Sequence, residues 1–224
     1  EMLTDEILPY IPDHRINDVI YVNPADTERP ICFNPLHLDE GEDIDLKADE
    51  TYSIFQRLMG AGGGERMNAI LRYTLYALLE RPKTTLLDIE PLLDRSSRTF
   101  RDMVIRDTTD PETRHFFRDV YPSFPKDSHL PIVGRLSRLT RPKYVRNILC
   151  NPDHSLNFRE AMDTGKILLF NLSDGILGEA NSQTLGQLIV SKFQMATMSR
   201  ASQSKGIRRP FWLYIDEFQT FVDT

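Results

Sequence analysis

Phe211-Trp212-Leu213-Tyr214-Ile215-Asp216-Glu217 places five apolar residues directly before two carboxylates. A continuous apolar run of this length reads as a strand buried on both faces of a parallel sheet. A buried unpaired carboxylate costs several kcal/mol or is forced to protonate, so the two acids must leave the core. At the carboxyl end of a central parallel strand they emerge into the crevice where open α/β sheets hold ligands. There Asp216 is placed to hold Mg²⁺ through water, and Glu217 to orient or activate an attacking water. The competing reading is a strand that ends in a solvated acidic turn.

Working outward, Lys166-Ile167-Leu168-Leu169-Phe170-Asn171-Leu172 is a second buried-strand run, closed by the turn Ser173-Asp174-Gly175. A helix is expected from about Asn181 to Arg200, with Leu185, Leu188, Ile189 and Ala196 along one face. Strand, long crossover and strand make a βαβ unit. Toward the start, Asp18–Val22 is a β-branched strand ended by Asn23-Pro24, and Pro30–Leu36 is a further extended piece. Asp5–Ile11 has helical spacing limited by Pro9 and Pro12.

Between an acidic loop at Asp39–Asp45 and Cys150 the pattern turns helical. Helices are expected at 48–59, 65–81, 86–93, 95–105, 111–119 and 128–140, the clearest being 65–81 with Met67, Ile70, Leu71, Thr74, Leu75 and Leu78 on one stripe. The sequence thus predicts an α/β fold, a partial parallel sheet with an all-α subdomain inserted. The expected parts are 1–46, 47–150 and 151–224.

Composition narrows the function. A formal net charge of −6 over 224 residues excludes a global basic field, so nucleic-acid contact must come from local patches or a ring of subunits. No apolar run approaches the roughly 18 residues of a membrane span. The acidic start Glu1–Glu6 is not a signal peptide, which points to a cytoplasmic protein whose membrane anchor, if it has one, lies outside this chain. Cys32 and Cys150 form no disulfide framework, and the five histidines lack zinc spacing. No nucleophile elbow is present. The run Gly60-Ala61-Gly62-Gly63-Gly64 is followed by Glu65-Arg66 rather than the Lys-Ser/Thr of a phosphate loop, and reads as a linker between helices. Gly165-Lys166 leads into a strand, the wrong order for that loop. Two basic clusters stand out: Arg135, Arg138, Arg141, Lys143 and Arg146, then Arg200, Lys205, Arg208 and Arg209. Arg141, Arg146 and Arg200 are candidates for an arginine finger or a phosphate contact, against the plainer reading of solvated helix faces.

Several segments together resemble the HerA/FtsK-like P-loop ATPases of conjugative DNA transfer, including type IV secretion coupling proteins. They are Ile7–Pro12, Asp18–Asp26, Arg29–Leu36, Val145–Leu149, Gly165–Leu172 and Trp212–Gln219, in family order along nearly the whole chain. The resemblance implies a RecA-like motor core with an all-α insert, and ATP- and Mg²⁺-driven DNA translocation by a ring, typically a hexamer. It implies that the insert recognises a relaxase or accessory transfer proteins. Asp216 and Glu217 look like the Walker B pair, and Gln219 like the glutamine that commonly follows it near the nucleotide. The family's phosphate loop is expected before residue 1 and its sensor segment after Thr224, so this chain is expected to be an internal piece with an incomplete sheet and an edge prone to self-association. A HerA-type repair or defence helicase shares most of these motifs, and a purely protein-binding module is the reading from outside the ATPases.

Overall fold

The computed structural model describes residues 3–24, 26, 28, 31–38, 42–59, 64–153, 156–204 and 206–217. In chain order the elements begin with α1 (Leu3–Ile7), β1 (Val19–Val22), α2 (Ile44–Met59), α3 (Glu65–Leu79), α4 (Ile89–Leu93) and α5 (Arg98–Asp107). They continue with α6 (Pro111–His115), α7 (Leu130–Thr140), α8 (Lys143–Leu149), α9 (Phe158–Thr164), β2 (Ile167–Phe170), α10 (Asp174–Leu177) and α11 (Glu179–Ser199). A π-helical turn, Phe116–Val120, follows α6 directly. The chain is mostly helical, with a two-stranded parallel sheet among the described residues.

Two compact units divide it: Glu1–Phe33 with Ser155–Thr224, and Asn34–His154. The divisions fall at 33/34 and 154/155 rather than at the expected 46/47 and 150/151. Residues 34–36 go with the helices because Asn34 Nδ2 donates to the Thr84 carbonyl at 2.6 Å, and Thr51 Oγ1 donates to the Pro35 carbonyl at 3.1 Å. Asn34 Oδ1 also accepts from Leu36 N at 3.0 Å. That local side-chain bond folds the segment into a turn, so the expected extended piece at 30–36 is not a strand among its described residues.

In the discontinuous unit β1 and β2 pair in parallel, Val19 opposite Ile167 through Val22 opposite Phe170. β-branched Val19, Ile20, Val22 and Ile167 suit the pleated surface. α9 starts where Asn157 Oδ1 accepts from Glu160 N at 2.9 Å and stops at Gly165, in the left-handed region at φ +72°. The core is aromatic: Phe158 meets Phe33 and Phe193 edge-on at 5.3 and 5.0 Å, and Phe193 meets Phe170 at 5.9 Å. The predicted face of α11 (Leu185, Leu188, Ile189, Ala196) is buried.

The helical unit is centred on α3, whose Ile70, Leu71, Thr74, Leu75 and Leu78 are buried as the spacing requires. α8 and α9 are helices the sequence pattern missed, each only seven residues and under two full turns of signal. Tyr121, fully buried, pins the far side. Its hydroxyl donates at 2.8 Å to the Leu93 carbonyl, one of the orphan acceptors at the end of α4. The Arg95 guanidinium lies 4.8 Å from the ring centroid and donates to the carbonyls of Tyr121 (2.5 Å) and Phe124 (2.9 Å).

Replacing Tyr121 with Phe leaves the Leu93 carbonyl buried and unpaired, which is expected to cost about 1–3 kcal/mol. Tyr121→Ala also opens a cavity, for about 3–5 kcal/mol. Urea unfolding of both variants measures the difference; equal midpoints for Tyr121→Phe and the parent chain would show that the hydroxyl contributes nothing.

Candidate functional site

The carboxyl ends of β1 and β2 are where an open α/β sheet presents a crevice. Asn171, buried just past β2, extends the ladder by donating its main-chain N–H to the Val22 carbonyl at 2.9 Å. Its side chain donates to Tyr21 Oη at 2.9 Å, and that hydroxyl in turn donates to Asp5 Oδ1 at 2.8 Å. Asn171 Oδ1 accepts from Ser173 N at 3.3 Å, and Ser182 Oγ donates to the Leu172 carbonyl at 2.5 Å, fixing the first turns of α11 beside the strand end. Sequence reasoning passed over Asn171 and Tyr21. The available signal was an asparagine ending a wholly apolar run, where a buried amide needs partners.

The opposite ends of the strands are clasped by charge. Arg15 Nε and Lys166 Nζ reach Asp18 at 2.7 and 3.1 Å, and Arg15 also donates to the Gly165 carbonyl at 2.7 Å. The Arg15 bond, then Lys166, hold the Asp18 carboxyl below its ordinary range.

Phe211–Ile215 departs from expectation. Among the described residues it forms no ladder with β1 or β2, and Trp212, Leu213 and Tyr214 are 70%, 47% and 85% exposed. Phe211 is half-buried, stacked on the core residue Phe193 at 5.6 Å. Apolar content gives a strand only where a neighbouring strand offers its N–H and C=O groups. Asp216 and Glu217 follow, both exposed, with Glu217 N donating to Asp216 Oδ1 at 3.0 Å and Glu217 at φ +50°. Carboxylate oxygens with no cationic partner among the described residues are hard ligands of the kind a water-mediated Mg²⁺ takes, but no phosphate-loop motif occurs in the sequence to cradle a triphosphate. Gln219 and the glycines at 60–63 lie outside the described residues.

The second basic cluster is structural. Arg200, 6% exposed, sits 2.7 Å from Asp163 Oδ1 as an ion pair lacking hydrogen-bond alignment at Nε, and its Nη2 donates to the Arg209 carbonyl at 2.6 Å. Arg208 donates to the carbonyls of Gln203 and Ala201 at 2.8 and 2.5 Å, and Arg209 to that of Thr164 at 2.9 Å. Arg200 and Arg209 tie the 200–209 turn to α9 and Arg208 braces the turn itself, so the buried Arg200 side chain is engaged in structure.

The first cluster is arranged differently. Arg135 turns inward, donating to Met67 Sδ at 3.4 Å. Arg138 and Arg141 are exposed at the end of α7, Lys143 and Arg146 on α8, and α8 packs against α7. No carboxylate occurs from Ser128 to Pro152, so this stretch carries five positive charges in a chain of net −6. Lys143 stands in the first turn of α8, where the helix dipole opposes a cation by about 0.3–1 kcal/mol. Cys150, at the end of α8, has its thiol pushed up to about 12 by burial and is inert at neutral pH.

Comparison with protein-family models, curated proteins and solved structures returns no match. Among the described residues no group of three or more His, Cys, Asp or Glu is placed to hold a metal, and no helix is long and apolar enough to cross a membrane.

Two outcomes check this geometry. Trp212 is the only tryptophan, so the native chain is expected to emit at the red, water-exposed limit with full access to iodide. A blue, unquenched emission would instead put Phe211–Ile215 in a buried strand. At Gly165 an added Cβ would meet the Arg209 guanidinium and impose strain at φ +72°. Gly165→Ala is expected to lose about 1–3 kcal/mol in chemical denaturation, and wild-type stability would refute the close approach.

Proposed function

We propose that this chain is the middle of an ATP-driven DNA-translocating motor of the conjugative-transfer or type IV secretion coupling type, with a RecA-like core interrupted by a helical insert. The observation that carries the reading is the splice: β1 and β2 are adjacent parallel strands, yet a helical unit with its own core lies between them in sequence. Leu156 N donates to the Cys32 carbonyl at 3.1 Å, so the chain leaves and re-enters the discontinuous unit at one place. The long helix α11 and then the apolar run with Asp216 and Glu217 follow β2, the order that a Walker B element after a βα crossover requires.

On this reading Asp216 holds Mg²⁺ through water and Glu217 positions the hydrolytic water, with Gln219 beside the nucleotide. ATP is bound only when a phosphate loop is supplied by a longer polypeptide, in a cytoplasmic ring of copies, a hexamer, at the inner face of a membrane if that polypeptide is anchored. DNA phosphates are met by the exposed ridge Arg138, Arg141, Lys143 and Arg146. A relaxase or accessory protein docks on the helical unit. A HerA-type repair or defence helicase is the neighbouring alternative within the ATPases.

The isolated chain is expected to show no Mg²⁺-ATP binding by titration calorimetry, whereas the polypeptide extended through a phosphate loop binds and loses hydrolysis on Glu217→Gln. Undiminished hydrolysis in that variant would reduce Asp216-Glu217 to an acidic turn. Duplex DNA binding, read by fluorescence anisotropy, should fall with salt at a slope of about −3 to −4 for four phosphate contacts. The Arg138→Ala/Arg141→Ala double variant should remove about 2 from that slope; an unchanged slope would place DNA elsewhere.

A further inference from the structure

Between α5 and the π-helical turn lies a cleft of about 290 Å³ that none of the motor reading uses. Three guanidiniums, Arg101, Arg106 and Arg118, line it with a single carboxylate, Asp102. Ile105, Phe117 and Pro122 form an apolar wall.

Each of the three arginines keeps donors that its structural contacts leave unused. Arg95 alone braces the neighbouring turn, bonding the carbonyls of Tyr121, Pro122 and Phe124. Arg101 faces the same tyrosine ring, 5.6 Å from its centroid. It makes one long bond, at 3.5 Å to the Phe117 carbonyl, against the three carbonyl bonds of Arg95, and its Nε, like that of Arg95, is buried without an acceptor. A guanidinium has five donors, and a buried one without a partner calls for an explanation such as a ligand or a water. Arg106 shares Asp107 with Arg81, at 2.9 and 2.7 Å, so that carboxylate is divided between two cations. Arg118 is exposed and makes no ion pair among the described residues. Asp102 pairs with none of the three. The π turn itself supplies the geometry: its wider winding brings the Phe117 carbonyl to Arg101 and sets Arg118 at the rim. Such single turns recur at functional sites.

We propose that this cleft binds a small phosphomonoester. Three cations against one anion leave two positive charges, which match the dianion of a phosphate ester better than a carboxylate or a phosphodiester. Planar guanidinium forks suit phosphate oxygens. The apolar wall takes the esterified organic group, while Asp102 repels a second phosphate and accepts a hydroxyl. The site stands independently of the motor assignment, since it uses no residue of the Asp216-Glu217 segment or of the Arg138–Arg146 ridge.

The test is calorimetric titration of the full chain with phenyl phosphate and with inorganic phosphate at low ionic strength. The expected result is saturable one-to-one binding, tighter for phenyl phosphate, and strengthening as pH rises through about 6, where the ester becomes a dianion. Sulfate, a dianion throughout, should show no such rise. Arg118→Ala and Arg106→Ala, both exposed and expected to fold, should each weaken phenyl phosphate about tenfold or more. Arg138→Ala/Arg141→Ala should leave it unchanged, and a single-stranded oligonucleotide should not displace it. The proposal is overturned by the absence of saturation, by unchanged affinity in both single variants, or by equal loss in the ridge variant, which would mean diffuse anion attraction. Displacement by the oligonucleotide would make the cleft a nucleic-acid contact and likewise overturn it.

Discussion

The parallel ladder between β1 and β2 is the constraint on which the discontinuous unit depends. Four residues on each side must meet across a separation of 148 positions. Closing a flexible loop of that length costs about 4 kcal/mol, before any ordering of the loop itself. Two things offset that cost. The intervening residues have a core of their own, so they do not contribute a long disordered loop. The strand ends are also held by groups that only the correct register brings together: Arg15, Asp18 and Lys166 at one end, Asp5, Tyr21 and Asn171 at the other. A slip by one residue would turn every side chain to the opposite face and break both clasps.

Chemistry-bearing residues of the two units have different physical settings. The arginines at 200, 208 and 209 satisfy main-chain carbonyls or a carboxylate and serve to hold a turn. Those at 138, 141 and 146, with Lys143, face solvent on two packed helices with no acid in their stretch of sequence. Mutual repulsion and an opposing helix dipole make that ridge unfavourable in isolation, and an anionic partner relieves both. The same contrast separates Arg95 from Arg101. Both lie against Tyr121 and both keep a buried Nε without an acceptor, but Arg95 bonds three main-chain carbonyls and Arg101 only one, at 3.5 Å.

Reading the sequence recovered what depends on short-range pattern. The β-branched run at 18–22 and the apolar run at 166–172 are the two strands, and the stripe of α3 and the face of α11 are buried as their periodicity demands. A helical insert in an α/β frame was legible because the hydrophobic period changes from runs to three-and-four spacing and back. Less legible were α8 and α9, whose seven residues are too few for a periodic signal, and the turn at 34–37, where one asparagine side chain outweighs strand propensity. The acid pair was visible as residue types, but its setting was not: Asp216 and Glu217 stand exposed behind an unpaired run.

Sequence alone therefore determined which segments seek burial, where the longer amphipathic helices lie, and that no phosphate loop is encoded between residues 1 and 224. These follow from side-chain chemistry and local spacing, which act within a few residues. Only the tertiary structure decided which arginines are consumed and which remain available. It also placed three guanidiniums around one cleft and left Phe211–Ile215 without a strand partner among the described residues. A guanidinium's donors are satisfied by whatever acceptors the fold brings within about 3 Å, and a strand exists only beside another. Both conditions depend on residues distant in sequence, as Arg15 and Gly165 are, 150 positions apart.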